Sequence, residues 1–541
     1  MRSPPGSPRS GMLLVLLFVA AQTAYAMWLN HLLYQRFSPF FDSMAYAMDY
    51  AAILTLARES GIWAALRQSF HSGTVSLPWI VTALFSPILP MSRLAGTWFQ
   101  EVWVLTLGLA LFWYLNRYRG LPALSAVCYT LPLLAIRAVF MPNGGLSDFR
   151  MDLSLYLLLA NMTVWYLITY ETESVVPWAV SGLFLMLATL ARATAPAYIA
   201  VMFGPLLITR PRILWKPLVF WLPPAALAMS ALLANYEHLR FYYFIWGADP
   251  NANLPLRQSL LHFERAGESI GIPLTVVAAG MALFQILQQR QWRFLDWRLA
   301  WLGIAPALLL ALRGAGLNPF VAMPSAFGGL LYCLLPFRNQ QPWRARPFFA
   351  ALLVAACVVN AIQGGLAHRN PPGIAPGMAA MEEAITLMHD DALQSHKPRV
   401  SFATAHSVGF SEGALRNVLV YDFGASVHGT DYVYDGIHFR VDHNWEFAPV
   451  VPLTWINDIA GATDDAKLAT LVNFALNDID YFFLPDQPSL DWMEKNVAHY
   501  FINTKARAFQ QKLLATGRWQ AIGPPLIESP HETVQLFRKS P

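Results

Sequence analysis

The chain has 541 residues, 56% of them hydrophobic and only 13% charged. A water-soluble domain carries roughly a quarter charged residues, so the polar side chains here cannot clothe a globule and most of the chain must face lipid. A net charge of +4, with no basic stripe interleaved with aromatics, excludes a nucleic-acid binder. The three cysteines, Cys128, Cys333 and Cys357, all lie in apolar runs, which excludes a disulfide framework and a cysteine metal site.

In chain order, Arg2 and Arg9 precede the first apolar run, 12–27, and Ala24-Tyr25-Ala26 has the small-x-small pattern of a cleavage site. A span followed by many more is usually retained, so this segment is expected to stay as an anchor. A crossing takes about 20 apolar residues, fewer where the bilayer is thin, and on that rule about eleven spans are expected. They fall at 12–27, 94–115, 121–140, 153–170, 176–190, 195–208, 217–234, 272–287, 301–312, 321–335 and 347–362. With the N-terminus inside, the inner connections carry Arg117/Arg119, Glu171 to Ser174, Arg210/Arg212/Lys216, Arg290/Arg293/Arg298 and Arg338/Arg344/Arg346. All but the second are basic, as the positive-inside rule requires, and acidic residues weigh little in that rule. The Pro-punctuated run 77–88 is expected to be interfacial or re-entrant, because counting it as a span would put Arg117 and Arg119 outside.

Four regions then face outward: 29–76, 141–152, 235–271 and everything after Gln363. Within the first, 45–57 and 61–70 read as short amphipathic helices lying on the membrane. The tail turns soluble in composition. It is expected to hold strands at 399–403 and 478–484, helices at 411–420 and 490–514, and strands over 518–538 around a Gly523-Pro524-Pro525 turn. The expected fold is a polytopic α-helical membrane domain (1–365) followed by an extracytoplasmic α/β domain (366–541). The tail shows neither a phosphate loop nor a nucleophile elbow.

Chemistry is sought at the outer rim. Asp42 follows the aromatic stretch Phe37-Ser38-Pro39-Phe40-Phe41 and precedes Ser43-Met44-Ala45-Tyr46. Two readings fit it: the N-cap of the next helix, or a base at a membrane–water interface. Tyr46 and Asp49 lie just beyond and are candidate substrate contacts. In the second loop, Asp148 and Asp152 share a face at i, i+4 if the segment is helical, with Arg150 turned away. Such a pair repels unless a cation, proton or polar substrate lies between. The alternative is a solvated helix start capped by Asp148. Asp152 stands at the edge of lipid, where an unpaired charge is costly. Arg192, in Arg192-Ala193-Thr194-Ala195-Pro196, either snorkels, pairs with a carboxylate such as Asp152, or grips a phosphate with its planar fork. Arg313 reaches the same edge, and Arg137 reads as a structural ion-pair member. The third loop holds His238, Arg240, Tyr242, Tyr243, Trp246, Asp249 and Asn251. These form either an interfacial belt or a lid over a lipid-linked substrate, with Tyr243 as a candidate contact. The histidines lack metal-ligand spacing. No cofactor is required, although Asp148 and Asp152 offer two oxygens to a divalent cation.

With these pieces in place the chain resembles the GT-C glycosyltransferases, in particular the branch of protein O-mannosyltransferases and the lipid A aminoarabinose transferase. The resemblance rests on the apolar first span, the outer loop opening Phe41-Asp42-Ser43-x-x-Tyr46, the acidic second loop at Asp148, the Arg-Ala-Thr-Ala-Pro turn at Arg192 and the soluble tail. Where that branch commonly has an Asp-Glu pair, this chain has Asp42-Ser43. The resemblance implies inverting transfer of a sugar from a polyprenyl-phosphate donor to a glycan, lipid or protein acceptor at the outer face of the inner membrane. It implies Asp42 as base and Asp148 as orienter of acceptor or cation. Asp152 would hold Arg150 or Arg192, with Arg192, Arg150 or Arg313 on the departing phosphate. The rival classes are a transporter or flippase, expected to show broken helices and internal symmetry, and a non-catalytic assembly factor.

Overall fold

The computed structural model describes residues 8–38, 42–71, 76–142, 144–146, 148, 150–240, 261–289, 297–313, 323–334, 346–369, 377–404, 412–428, 431–441, 469, 472–473, 475–496, 506–529 and 531–540. At some helical and strand positions, Asp42 and Arg313 among them, only the backbone is described. The chain forms two compact units. One comprises Met1–Asn30, Leu56–Pro90 and Leu94–Arg369, the other His31–Thr55, Met91–Arg93 and Asn370–Pro541.

The first unit is helical. Among the described residues, three helices are long and apolar enough to cross a membrane: Pro8–Tyr34, Trp98–Tyr118 and Phe348–Arg369. Two bent pairs raise the number to five, Ala195–Ile208 with Pro211–Phe220 (111°) and His262–Ile270 with Ile272–Phe284 (100°). Six shorter apolar helices of 10–17 residues accompany them. At 1.5 Å per residue these reach about 18–26 Å, short of the ~30 Å hydrocarbon core. Every apolar run expected to span holds one of these helices or pairs, but the runs are interrupted. The run 121–140 is helical only over Ala123–Leu134 and then tightens into a 3-10 turn, Arg137–Phe140. Leu77–Phe85 is nine residues long, about 13 Å, too short to cross.

The hub is the helix Asp152–Ile168, buried at every position except Trp165. It is therefore apolar on all sides rather than on one stripe. Its buried Asn161 donates to Trp103 O (3.1 Å) and Leu157 O (2.9 Å). Elsewhere small residues let backbones touch: a Cβ on Gly328 would meet Leu302 C at 2.4 Å, so Met323–Leu334 packs directly on Trp297–Arg313. Broken helices leave carbonyls without intrahelical donors. Buried Asn360 takes two of them, Ala135 O (3.0 Å) and Ile270 O (2.8 Å), at two separate breaks.

At one end of this unit, connections assigned to the inner side gather. Arg119 meets Glu171 at 3.9 Å, and Lys216 donates to Glu173 O. Arg210 bonds Thr169 Oγ1 (3.1 Å) and lies 3.8 Å over the Tyr170 ring, with Arg298 4.4 Å from the same ring. The acidic connection, the exception in the charge pattern, is thus the partner of its basic neighbours.

The second unit is built on a seven-stranded sheet: β1 Arg399–Thr404, β2 Ser426–His428, β3 Asp431–Tyr434, β4 Ile437–Val441, β5 Tyr481–Pro485, β6 Trp519–Ser529 and β7 Glu532–Lys539. Its order is β2-β3-β4-β1-β5-β7-β6. Strand β1 runs parallel to β4 and β5, and the other pairs are antiparallel. Alternate residues of β5 serve opposite faces. Tyr481 and Phe483 join a core with Met381, Ile385, Leu415 and Val418, whereas Phe482 and Leu484 join one with Phe509, Leu513 and Trp519. Both faces are covered, which is why β5, Tyr481-Phe-Phe-Leu-Pro485, reads as a continuous apolar run.

Two expectations change here. The segment 45–57 does not simply lie on the membrane. It belongs to a helix, Asp42–Ser60, whose Met48 and Ala51 are part of the sheet's first core. Its approach is fixed by Met378 N–H donating to Arg36 O (2.9 Å) and an antiparallel bridge between Phe37 and Gly377. The Gly523-Pro524-Pro525 stretch is not a turn. Strand β6 runs through it with a register shift between Ile522 and Leu526, which an edge strand tolerates because its outer N–H groups have no ladder to complete.

Candidate functional site

The acidic loop follows the 3-10 turn Arg137–Phe140 and is shaped by two glycines. Gly144 has φ +79°, and a Cβ on Gly145 would meet Met141 O at 2.2 Å. Leu146 N–H donates to Val139 O (2.9 Å) and Asp148 N–H to Gly145 O (3.1 Å), so the chain doubles back on itself. Asp148 Oδ2 accepts the Gly144 N–H, and the buried Gln100 amide donates to Asp148 O at 2.6 Å. Asp148 is therefore a loop residue, not a helical one, and it is 2% exposed. The helix begins only at Asp152, with Met151 in the cap position and no side-chain cap bond.

This corrects two expectations. Asp148 and Asp152 do not share a helix face, because the glycine turn consumes the residues a first helical turn would need. Arg150 is not turned away: its Nε lies 3.7 Å from Asp148 Oδ2. Asp152 instead faces Arg192, with Oδ1 3.4 Å from a guanidinium nitrogen. Arg192 caps the C-terminal end of Val176–Ala191 in extended conformation (φ −155°, ψ 129°), and its own carbonyl accepts Ala195 N–H (3.0 Å) as the next helix starts. Pro196 in that helix's first turn removes a donor that would have had no partner.

Two acids and two arginines thus stand as two ion pairs around one helix start. Pairing offsets the cost of taking charges out of water. Neither contact is a short bidentate fork, and Arg192 keeps 18% of its side chain exposed. Among the described residues no three His, Cys, Asp or Glu side chains gather as metal ligands. Asp148 Oδ2 accepts the Gly144 N–H and faces Arg150.

The other candidates are placed less fully. Asp42 is the first residue of Asp42–Ser60, and its side chain lies outside the described residues. Tyr46 is half-buried and Asp49 exposed on the same helix. Arg313 ends Trp297–Arg313, its side chain likewise outside the described residues, as is all of Tyr243. Arg137 sits in the 3-10 turn, with no ion pair among the described residues. Gln100, which fixes the Asp148 carbonyl, was not foreseen: a lone Gln near the start of an apolar helix carries no spacing signal.

No family model matches the chain, and no curated protein matches its sequence. Among solved structures, the chain is similar to the arabinofuranosyltransferase AftD from Mycobacteria, with a TM-score of 0.50 and 16% identity. The match covers 100% of this chain and 42% of AftD, so the chain spans less than half of that protein's length. At this identity the likeness is one of fold. It does not single out the O-mannosyltransferase and aminoarabinose transferase branch.

Proposed function

We propose that the protein is a membrane glycosyltransferase that moves a sugar from a polyprenyl-phosphate donor to a glycan, lipid or protein acceptor at the outer face of the inner membrane. The observation that carries this reading is the pair of Asp–Arg contacts at one helix start, in a fold similar to that of a glycosyltransferase. Asp42 acts as general base, taking the proton of the acceptor hydroxyl. The freed oxygen attacks the anomeric carbon, the bond from that carbon to the phosphate oxygen breaks, and its electron pair leaves with the phosphate. Arg192, Arg150 and Arg313 stabilise the charge that develops there. Asp152 keeps Arg192 in position, and Asp148 orients acceptor and Arg150. Tyr46, Asp49 and Tyr243 contact substrate. Residues 366–541 are assigned to the outer face because the basic connections, by the positive-inside rule, are assigned to the inner one.

The two bent helix pairs favour a second reading, a lipid or polysaccharide transporter, since broken helices mark transporter sites. The readings part in a reconstituted assay with a panel of synthetic polyprenyl-phosphate pentoses and hexoses. A transferase releases free polyprenyl phosphate from at least one donor, and Arg192→Gln lowers that rate roughly 10²-fold. Donor crossing the bilayer intact, with no release, would favour the transporter.

A further inference from the structure

The helix that opens at Asp42 is gripped within the second unit by a bracket that its hydrophobic packing does not require. Ala47 lies five residues from Asp42, about 7.5 Å along the axis. Its carbonyl accepts the Tyr421 hydroxyl at 2.6 Å. Tyr421 ends the helix Glu412–Tyr421. The Arg93 guanidinium lies 4.9 Å over the Tyr421 ring and 5.6 Å from the Tyr34 ring. Arg93 is 7% exposed and donates to both carboxylate oxygens of Asp422 (3.1 and 2.6 Å) and to Asn417 O (3.1 Å). That bidentate fork fixes the plane of the guanidinium and hence the ring beneath it. Burial raises the Tyr421 hydroxyl well above its ordinary pKa, against a smaller lowering by Arg93, so it remains a donor at any working pH.

A carbonyl inside a helix already has its intrahelical N–H partner. The Tyr421 bond therefore adds direction more than satisfaction, and is worth only about 1 kcal/mol. Met48 and Ala51 would close the core without it. We infer that Tyr421, held by Arg93 and Asp422, is a positioning residue that sets the place and pitch of the turn carrying Asp42. This rests on the reading of Asp42 as base. A base displaced by about 1 Å costs up to ~10²-fold in rate, far more than the bond contributes to stability.

The test uses the full chain in nanodiscs and two readouts. In hydrogen exchange, Tyr421→Phe speeds the amides of residues 46–50 about 5-fold, the loss of one such bond, while those of β1 and β5 stay unchanged. In turnover of whichever panel donor the wild type cleaves, Tyr421→Phe lowers kcat about tenfold with KM within twofold. It has no further effect in an Asp42→Asn background, because it acts through that residue. Arg93→Lys, which keeps the charge and loses the fork, gives a smaller fall of the same kind. Unchanged exchange at 46–50, or full kcat in Tyr421→Phe while Asp42→Asn is inactive, overturns the inference alone. Normal turnover by Asp42→Asn, or no donor cleaved by the wild type, removes the base reading and the inference with it.

Discussion

Asp480 shows how one carboxylate ties the second unit together and how that contribution depends on pH. It accepts Ser401 N–H (2.9 Å), Ser401 Oγ (3.0 Å) and Lys397 Nζ (2.9 Å), joining the loop before β5 to β1. Burial alone would raise its pKa. The Ser401 N–H and the Lys397 ammonium outweigh burial and hold it below the ordinary carboxylate value. A depressed folded pKa stabilises the fold above the unfolded value of about 3.9, and that contribution is lost as pH falls through the folded pKa. Asp480→Asn is therefore expected to destabilise the protein by about 1 kcal/mol at pH 7, with the gap closing below pH ~3.9. Thermal unfolding of both proteins across that range reads it, and a gap that persists undiminished at acid pH would contradict the assignment. Contacts between residues of the candidate site were partly legible. That Arg192 has Asp152 for a partner could be read from two charges at lipid edges. That Arg150 turns to Asp148 could not, because it depends on the Gly144-Gly145 turn.

At the scale of elements, apolar runs were legible because composition alone places them in helices, but their breaks were not. The end of Ala123–Leu134 and the 100° bend after Ile270 depend on Asn360, far away in sequence, which accepts the burden of two freed carbonyls. Asn360→Leu keeps the branching of the side chain but has no donor, and strands both. Hydrogen bonds in membrane bundles average only about 0.6 kcal/mol, but two buried carbonyls with no replacement donor cost about 1–3 kcal/mol each. The variant is expected to unfold several degrees lower in detergent, and an unchanged midpoint would show the carbonyls find other partners. In the tail, the signal for the β3–β4 hairpin was present and unread. Asp435-Gly436 stands between Tyr434 and Ile437, and both turn residues have positive φ (47° and 76°). That is the two-residue turn whose twist matches the strands. The Gly-Pro-Pro stretch misled for the opposite reason, since its turn chemistry was absorbed by an edge strand.

For the whole molecule, the deficit of charge already called for a membrane protein, and three of the described helices are long and apolar enough to cross a membrane. The division into units was less legible. Residues 31–55 and 91–93 belong with the tail, and nothing in their composition says so. Their membership comes from side chains that pair only in three dimensions, such as Arg93 with Asp422 and Met48 with the sheet core. The consequence is that the turn bearing Asp42 is built partly by a domain that starts more than three hundred residues later. Whether this turn supplies the base for sugar transfer, as proposed, is read in the turnover of a polyprenyl-phosphate sugar by Asp42→Asn. Loss of the base is expected to lower kcat about 10²- to 10⁴-fold, with donor binding and thermal stability retained. Turnover within a few-fold of the wild type would contradict it.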